Sequence, residues 1–104
     1  MEEAEIGVLQ NNLALVLQDL GDYEGAKSLL EKAMHSDEQN FGNAHPTTAV
    51  RYSNLATVYF HLEEFDDAVA LLEKAYTVYK TNLGEEHPKT KLIGRNLELS
   101  LIHI

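Results

Sequence analysis

Residues 12–48 are written a second time at residues 54–90. Asn12-Leu13-Ala14 returns as Asn54-Leu55-Ala56, and Ala26 as Ala68. Leu29-Leu30-Glu31-Lys32-Ala33 returns as Leu71-Leu72-Glu73-Lys74-Ala75. Gly42, His45, Pro46 and Thr48 return as Gly84, His87, Pro88 and Thr90. Each pair is 42 residues apart, and a third copy opens at Asn96-Leu97. A fixed period of this length implies units that bury their apolar faces against adjacent units, in a stack whose contacts stay local.

The units read as helix pairs. Ile6, Leu9, Leu13, Val16, Leu17 and Leu20 recur at spacings of three and four, which predicts a helix over about residues 5–20. Gly21-Asp22 then offers a left-handed residue and a cap for the next helix. Tyr23, Ala26, Leu29, Leu30 and Ala33 predict a second helix to about residue 39, followed by a loop over 40–45. Pro46 suits the first turn of a third helix, where its missing N–H is not needed. Val50, Leu55, Val58, Tyr59 and Leu62 continue that helix. Phe65, Ala68, Leu71, Leu72, Ala75, Val78 and Tyr79 form a fourth, with Glu64, Asp66 and Asp67 at its positive end. Pro88 opens a fifth through Leu92, Ile93 and Leu97, weakened by Gly94. Glu63 stands where Gly21 stood, so the second turn either differs in geometry or bears strain of roughly 1–2 kcal/mol.

These residues resemble the tetratricopeptide repeat in its 42-residue form. Ala14 and Ala56, the turn Gly21-Asp22-Tyr23, and the small positions Ala26, Ala33, Ala68 and Ala75 carry the resemblance. The linkers Gly42-Asn43-Ala44-His45-Pro46-Thr47-Thr48 and Gly84-Glu85-Glu86-His87-Pro88-Lys89-Thr90 are similar to those of kinesin light chains and of light-chain-like arrays. The resemblance implies an all-α solenoid, a right-handed superhelix of antiparallel helix pairs. It implies one solenoid over residues 1–98, with repeats at about 5–45 and 46–87 and the start of a third at 88–98. Residues 99–104, Leu-Ser-Leu-Ile-His-Ile, resemble the in-frame translation of a sequencing-library adaptor and are expected to lie outside the fold. On that expectation the chain is a piece of a longer array, with Met1 either a true start or an internal methionine.

Composition narrows the function. The chain has 104 residues, no cysteine and a formal net charge of −9. A phosphate-binding footprint for nucleic acid is not expected at that charge. No apolar run approaches the roughly 18 residues of a membrane span. The lack of cysteine and of a signal pattern leads to a cytoplasmic expectation. His45 and His87 occupy equivalent places one repeat apart, too far to share a metal ion. Glu63-Glu64, Asp66-Asp67 and Glu85-Glu86 fall in turns and helix starts, where capping explains them. Neither catalytic residues, a cofactor site nor a metal site is expected.

The resemblance instead implies a binding wall made by the first helix of each unit. Its inward positions map to Val8, Asn11, Leu15, Gln18 and Asp19 in the first unit. They map to Val50, Ser53, Thr57, Phe60 and His61 in the second, and to Leu92 and Arg95 in the third. Asn11, Ser53 and Arg95 are expected to hydrogen-bond an extended backbone, with Phe60 as an aromatic anchor. Asn12 and Asn54 are expected to face the seam between units. The implied function is a protein–protein interaction scaffold that holds a protein or peptide segment, basic or apolar in character. A regulatory or sensor array of a larger signalling ATPase or effector enzyme and a structural spacer are the alternatives. Leu92, Ile93 and Leu97, lacking a following helix, are expected to drive self-association through the C-terminal end.

Overall fold

The computed structural model describes Glu3–His103, with side-chain surroundings from Ile6 to Ile102; Met1, Glu2 and Ile104 lie outside the described residues. Five helices form among them: α1 (Glu3–Asp19), α2 (Tyr23–Phe41), α3 (Pro46–His61), α4 (Phe65–Leu83) and α5 (Pro88–His103). Each packs on its neighbours in sequence, α1 on α2, α2 on α3, α3 on α4 and α4 on α5. The result is two antiparallel helix pairs and the first helix of a third. α2 runs two residues further than its pattern suggests, to Phe41, as α4 runs to the equivalent Leu83; the Phe41 ring lies tilted against His45 at 5.0 Å.

Small residues set the spacing. Ala14, Ala26, Ala33, Ala49, Ala56, Ala68 and Ala75 are all fully buried. Each lets a neighbouring backbone come close, and the interior around them closes on Tyr52, Leu30, Leu55 and Val58. Gly94 does the same for α5, since a Cβ there would lie 3.1 Å from the Tyr76 ring. The second seam thus trades Tyr52 for Gly94 and Met34 for Tyr76 at equivalent positions.

The two turns inside the units have the same geometry. Gly21 has φ 83°, and its N–H and that of Asp22 bond back to the carbonyls of Gln18 and Leu17. Glu63 has φ 61°, with its N–H and that of Glu64 bonding back to Phe60 and Tyr59. Each is a Schellman closure. The second turn therefore keeps its shape and carries the strain of a side chain in the left-handed region. The helix starts differ. Asp22 caps α2 by accepting from the Gly25 N–H at 3.0 Å, and a Cβ at Gly25 would lie 2.6 Å from Asp22 Oδ2. Glu64 makes no such cap; it accepts from Lys27 Nζ at 2.9 Å and ties α2 to the turn before α4. With the cap gone, position 67 holds Asp without conflict.

The repeated His-Pro is a helix start. His45 Nδ1 accepts from the Thr47 N–H at 3.0 Å, and His87 Nδ1 from the Lys89 N–H at 3.1 Å. Each imidazole does the work usually done by Ser or Asp, with proline at the first helical position. α5 continues without a break through residues 99–103, and Ser100 is buried with its hydroxyl donating to the Asn96 carbonyl. The segment set apart on its sequence is thus part of the described helix.

Two packing expectations need correction. Ile93 is buried and Leu97 half-buried, because α5 turns Thr90, Ile93, Leu97 and Ser100 toward α4; Leu92 remains exposed. In α1 the opposite holds. Of its apolar stripe only Leu17 is half-buried, while Ile6, Leu9, Leu13, Val16 and Leu20 stay exposed. Gly7, Asn11 and Ala14 are buried on α1 in their place.

Candidate functional site

The seams between units hold the polar groups. In the first, Asn54 Nδ2 donates to Asn11 Oδ1 at 2.9 Å, joining α3 to α1. Asn54 therefore faces the seam as expected, but its partner is the Asn11 side chain. Asn12 is exposed. Asn11 is only 8% exposed and engaged, so it is not free to meet a peptide backbone. In the second seam the equivalent pair is Asn96 and Ser53. Among the described residues these two do not bond; the Ser53 hydroxyl donates to the Ala49 carbonyl, one turn back.

Where that latch is missing, a cleft of about 490 Å³ opens between α3 and α5. Ser53, Asn54, Thr57, Phe60 and His61 form one wall, and Leu92, Asn96 and Leu99 the other, with Leu72 and Ile93 beneath. Phe60 sits half-buried against Phe65, ring centres 5.8 Å apart. His61 stacks on Tyr23 at 4.4 Å and 7°, which fixes its ring at the cleft mouth. The lining holds no Lys, Arg, Asp or Glu. Such a surface suits an apolar side chain with a few amide or hydroxyl contacts.

Five expected groove residues thus come together: Ser53, Thr57, Phe60, His61 and Leu92. The others do not join them. Val8, Leu15 and Asp19 are exposed on α1; Gln18 is half-buried there, with its Nε2 lacking a partner among the described residues. Val50 is half-buried, and Arg95 is exposed outside the cleft. Asn96 was missed, though the period that relates it to Asn12 and Asn54 could have pointed to it.

A buried charge pair was also missed. Asp37 on α2 meets Arg51 on α3, Oδ2 to Nε at 3.0 Å, with side chains 1% and 6% exposed. The Arg51 Nε–H is not aimed at the carboxylate, and both carboxylate oxygens and Nε lack hydrogen-bond partners among the described residues. Burial accordingly outweighs the attraction of Arg51 and, more weakly, of His45, and holds the Asp37 carboxyl above its ordinary range. The equivalent positions in the second seam are Tyr79 and Ile93, an apolar pair. Nearby, the buried Tyr52 hydroxyl donates to Glu38 at 2.6 Å, and Tyr59 donates to Glu31 at 3.3 Å. Among the described residues no group of three or more His, Asp or Glu is placed to hold a metal ion. No described helix is long and apolar enough to cross a membrane.

Helix pairs of one period, stacked through small residues with a cleft between successive first helices, define a helical-repeat solenoid. A tetratricopeptide-repeat family model matches residues 5–81 and again residues 52–97. The chain belongs to the tetratricopeptide repeat family. A comparison with curated proteins gives no match. Repeats of this family are in general protein–protein interaction modules, typically without catalysis of their own.

Proposed function

We propose that this chain binds an extended segment of a partner protein in the cleft between α3 and α5. One observation carries the reading: the Asn–Asn latch that closes the first seam is absent from the second, where Asn96 is left beside an apolar floor. An apolar partner side chain would rest on Leu72, Ile93 and Phe60. The Asn96 amide and the Thr57 hydroxyl would meet the partner's backbone. A lining without Asp or Glu favours an apolar anchor over a basic one. The net charge of −9 would still steer segments with basic flanks toward the chain. The His45 and His87 caps support placing the chain with the 42-residue, light-chain-like arrays.

The test is a peptide-display selection with the whole chain as bait, followed by amide chemical-shift mapping of the selected peptides. Shifts should gather at Ser53, Thr57, Phe60 and Asn96. Thr57→Arg and Asn96→Arg, both at exposed positions, should fill the cleft and abolish binding with the helical signal intact. Peptides that bind these variants as tightly as the wild type would overturn the reading.

A further inference from the structure

We infer that the first unit positions the α3–α5 cleft: Tyr23 and Asn11, neither of which lines it, set two of its wall residues, His61 and Asn54. The inference rests on the reading of that cleft as the binding site. His61 and Asn54 lie seven residues apart on α3, which is two helical turns or about 10 Å, so they share a face. Each is held from outside the cleft by one residue of the first unit.

The two holds differ in kind. The His61 ring lies flat on Tyr23, centroids 4.4 Å apart and planes 7° from parallel. His61 is otherwise exposed, so without that ring its side chain would turn among several rotamers. Asn54 donates through Nδ2 to Asn11 Oδ1 at 2.9 Å, and Asn11 is buried on α1. A wall side chain that is free must be ordered when a segment binds, and that ordering costs affinity. A side chain already held in place does not incur that cost.

The repeat gives this bracing a pattern. Tyr23 is the first residue of α2, and Phe65, one period on, is the first of α4. Phe65 packs tilted on Phe60 at 5.8 Å, as Tyr23 stacks on His61. The two equivalent aromatics therefore brace consecutive residues at the end of α3, and Phe65 does not line the cleft either. Phe65 acts within its own unit, whereas Tyr23 reaches across from the preceding one. The corner that Tyr23 spans is also fastened by Lys27 of α2, whose Nζ lies 2.9 Å from Glu64 in the turn before α4. On the α5 wall the equivalent of Asn54 is Asn96, and Ser53, in the place of Asn11, donates to the Ala49 carbonyl instead. The α3 wall is thus set by the first unit before a partner arrives, and the α5 wall lacks that latch.

Tyr23→Phe keeps the ring and Tyr23→Leu removes it. The first readout needs no peptide: the His61 ring protons should lie upfield in the wild type and in Tyr23→Phe, shielded by the stacked ring, and return to ordinary positions in Tyr23→Leu. The second uses the peptides selected by the wild type, at a temperature where every variant is fully folded by circular dichroism. Their Kd should rise about tenfold in Tyr23→Leu and by a similar factor in Asn11→Ala, and stay within about twofold in Tyr23→Phe. His45→Ala, which weakens the start of α3 and touches neither hold, is the stability control and should bind as the wild type does. His61 signals unmoved in Tyr23→Leu would overturn the inference whatever the peptides do. Signals that move while both Tyr23→Leu and Asn11→Ala keep full affinity would overturn it and leave the cleft reading standing. An equal loss of affinity in His45→Ala would reduce the effect to stability and overturn it as well. Wild-type peptide shifts that avoid the cleft would overturn the reading and the inference together.

Discussion

Replacing Asp37 by Asn removes a charge and almost no volume, from a site that is 1% exposed. A well-formed buried ion pair would lose about 3–5 kcal/mol when one partner goes. Here the carboxylate sits 3.0 Å from Arg51 Nε without a hydrogen bond to it, and burial holds its pKa above 3.8. The folded state thus prefers the neutral acid more than the unfolded chain does. A neutral isostere should leave stability at pH 7 unchanged or raise it. Arg51→Leu should do the reverse: it strands a buried carboxylate, costs about 3 kcal/mol, and lowers the melting midpoint by roughly 10–20 °C for a chain of this size. Asp37→Leu combined with Arg51→Leu should recover to within about 1 kcal/mol of wild type or exceed it, since Tyr79 and Ile93 already build the equivalent seam from apolar groups. The pH sense follows from the raised pKa. The folded state holds more protons between pH 3.8 and the raised folded value, so this contribution to stability is fullest below 3.8 and is lost as pH rises through that window. The stability gap between Asp37→Asn and wild type should therefore shrink on acidification through the window. Urea unfolding followed by circular dichroism at several pH values measures each of these differences. If Asp37→Asn loses as much as Arg51→Leu, the carboxylate is net stabilising and the reasoning fails.

Glu63→Gly should relieve left-handed strain and, after the entropy cost of glycine, gain about 0.5–1 kcal/mol. Gly21→Ala should lose about 1 kcal/mol; denaturation midpoints moving the same way in both would show that the two turns are not alike. His45→Ala should cost about 1 kcal/mol through the lost cap on α3, and His45→Asn should recover most of it. Burial and Glu31 push the Tyr59 hydroxyl up to about 12, and burial and Glu38 push Tyr52 higher. The stability these phenols provide is complete below their unfolded pKa near 10 and is lost as pH climbs through the folded values. Tyrosinate absorbance should thus rise together with loss of helix, and Tyr52→Phe with Tyr59→Phe should move alkaline unfolding to higher pH.

The period made the architecture legible. A 42-residue spacing of small and apolar residues fixes which positions touch, and Ala14, Ala26, Ala56, Ala68 and Ala75 are all fully buried as that register requires. The strained turn at Glu63 was legible for the same reason, since only the comparison with Gly21 exposed it. Side-chain direction was not legible. The apolar spacing on α1 is genuine, yet it cannot tell a face packed on α2 from one left open, because both recur every three or four residues. The cleft was read by half. Ser53, Thr57 and Phe60 came from the inward positions that the resemblance implies, whereas the surroundings of Asn11 and Asn96 depend on what stands one period away. Asp37 and Arg51 lie 14 residues apart on different helices, and neither residue type signals burial.

The missing latch can be restored. Ser53→Asn places at the second seam the residue that Asn11 supplies to the first, one turn of the repeat from Asn96. Its Oδ1 would then accept from Asn96 Nδ2, as Asn11 accepts from Asn54 at 2.9 Å. A half-buried amide pair of this kind is worth about 1 kcal/mol, so the variant should melt a few degrees higher. The same bond would draw α5 toward α3 and occupy the Asn96 amide that the proposed binding mode offers to a partner segment. Affinity for peptides selected by the wild type should fall as stability rises. These two effects are opposite in sign, which separates a lost contact from a damaged fold. A variant that gains stability and keeps its peptides would place the binding surface somewhere other than this cleft. A variant that gains neither would mean that the second seam stays open because of Gly94 and Tyr76, whose exchange of size with Tyr52 and Met34 sets the helix spacing, and not because of the serine.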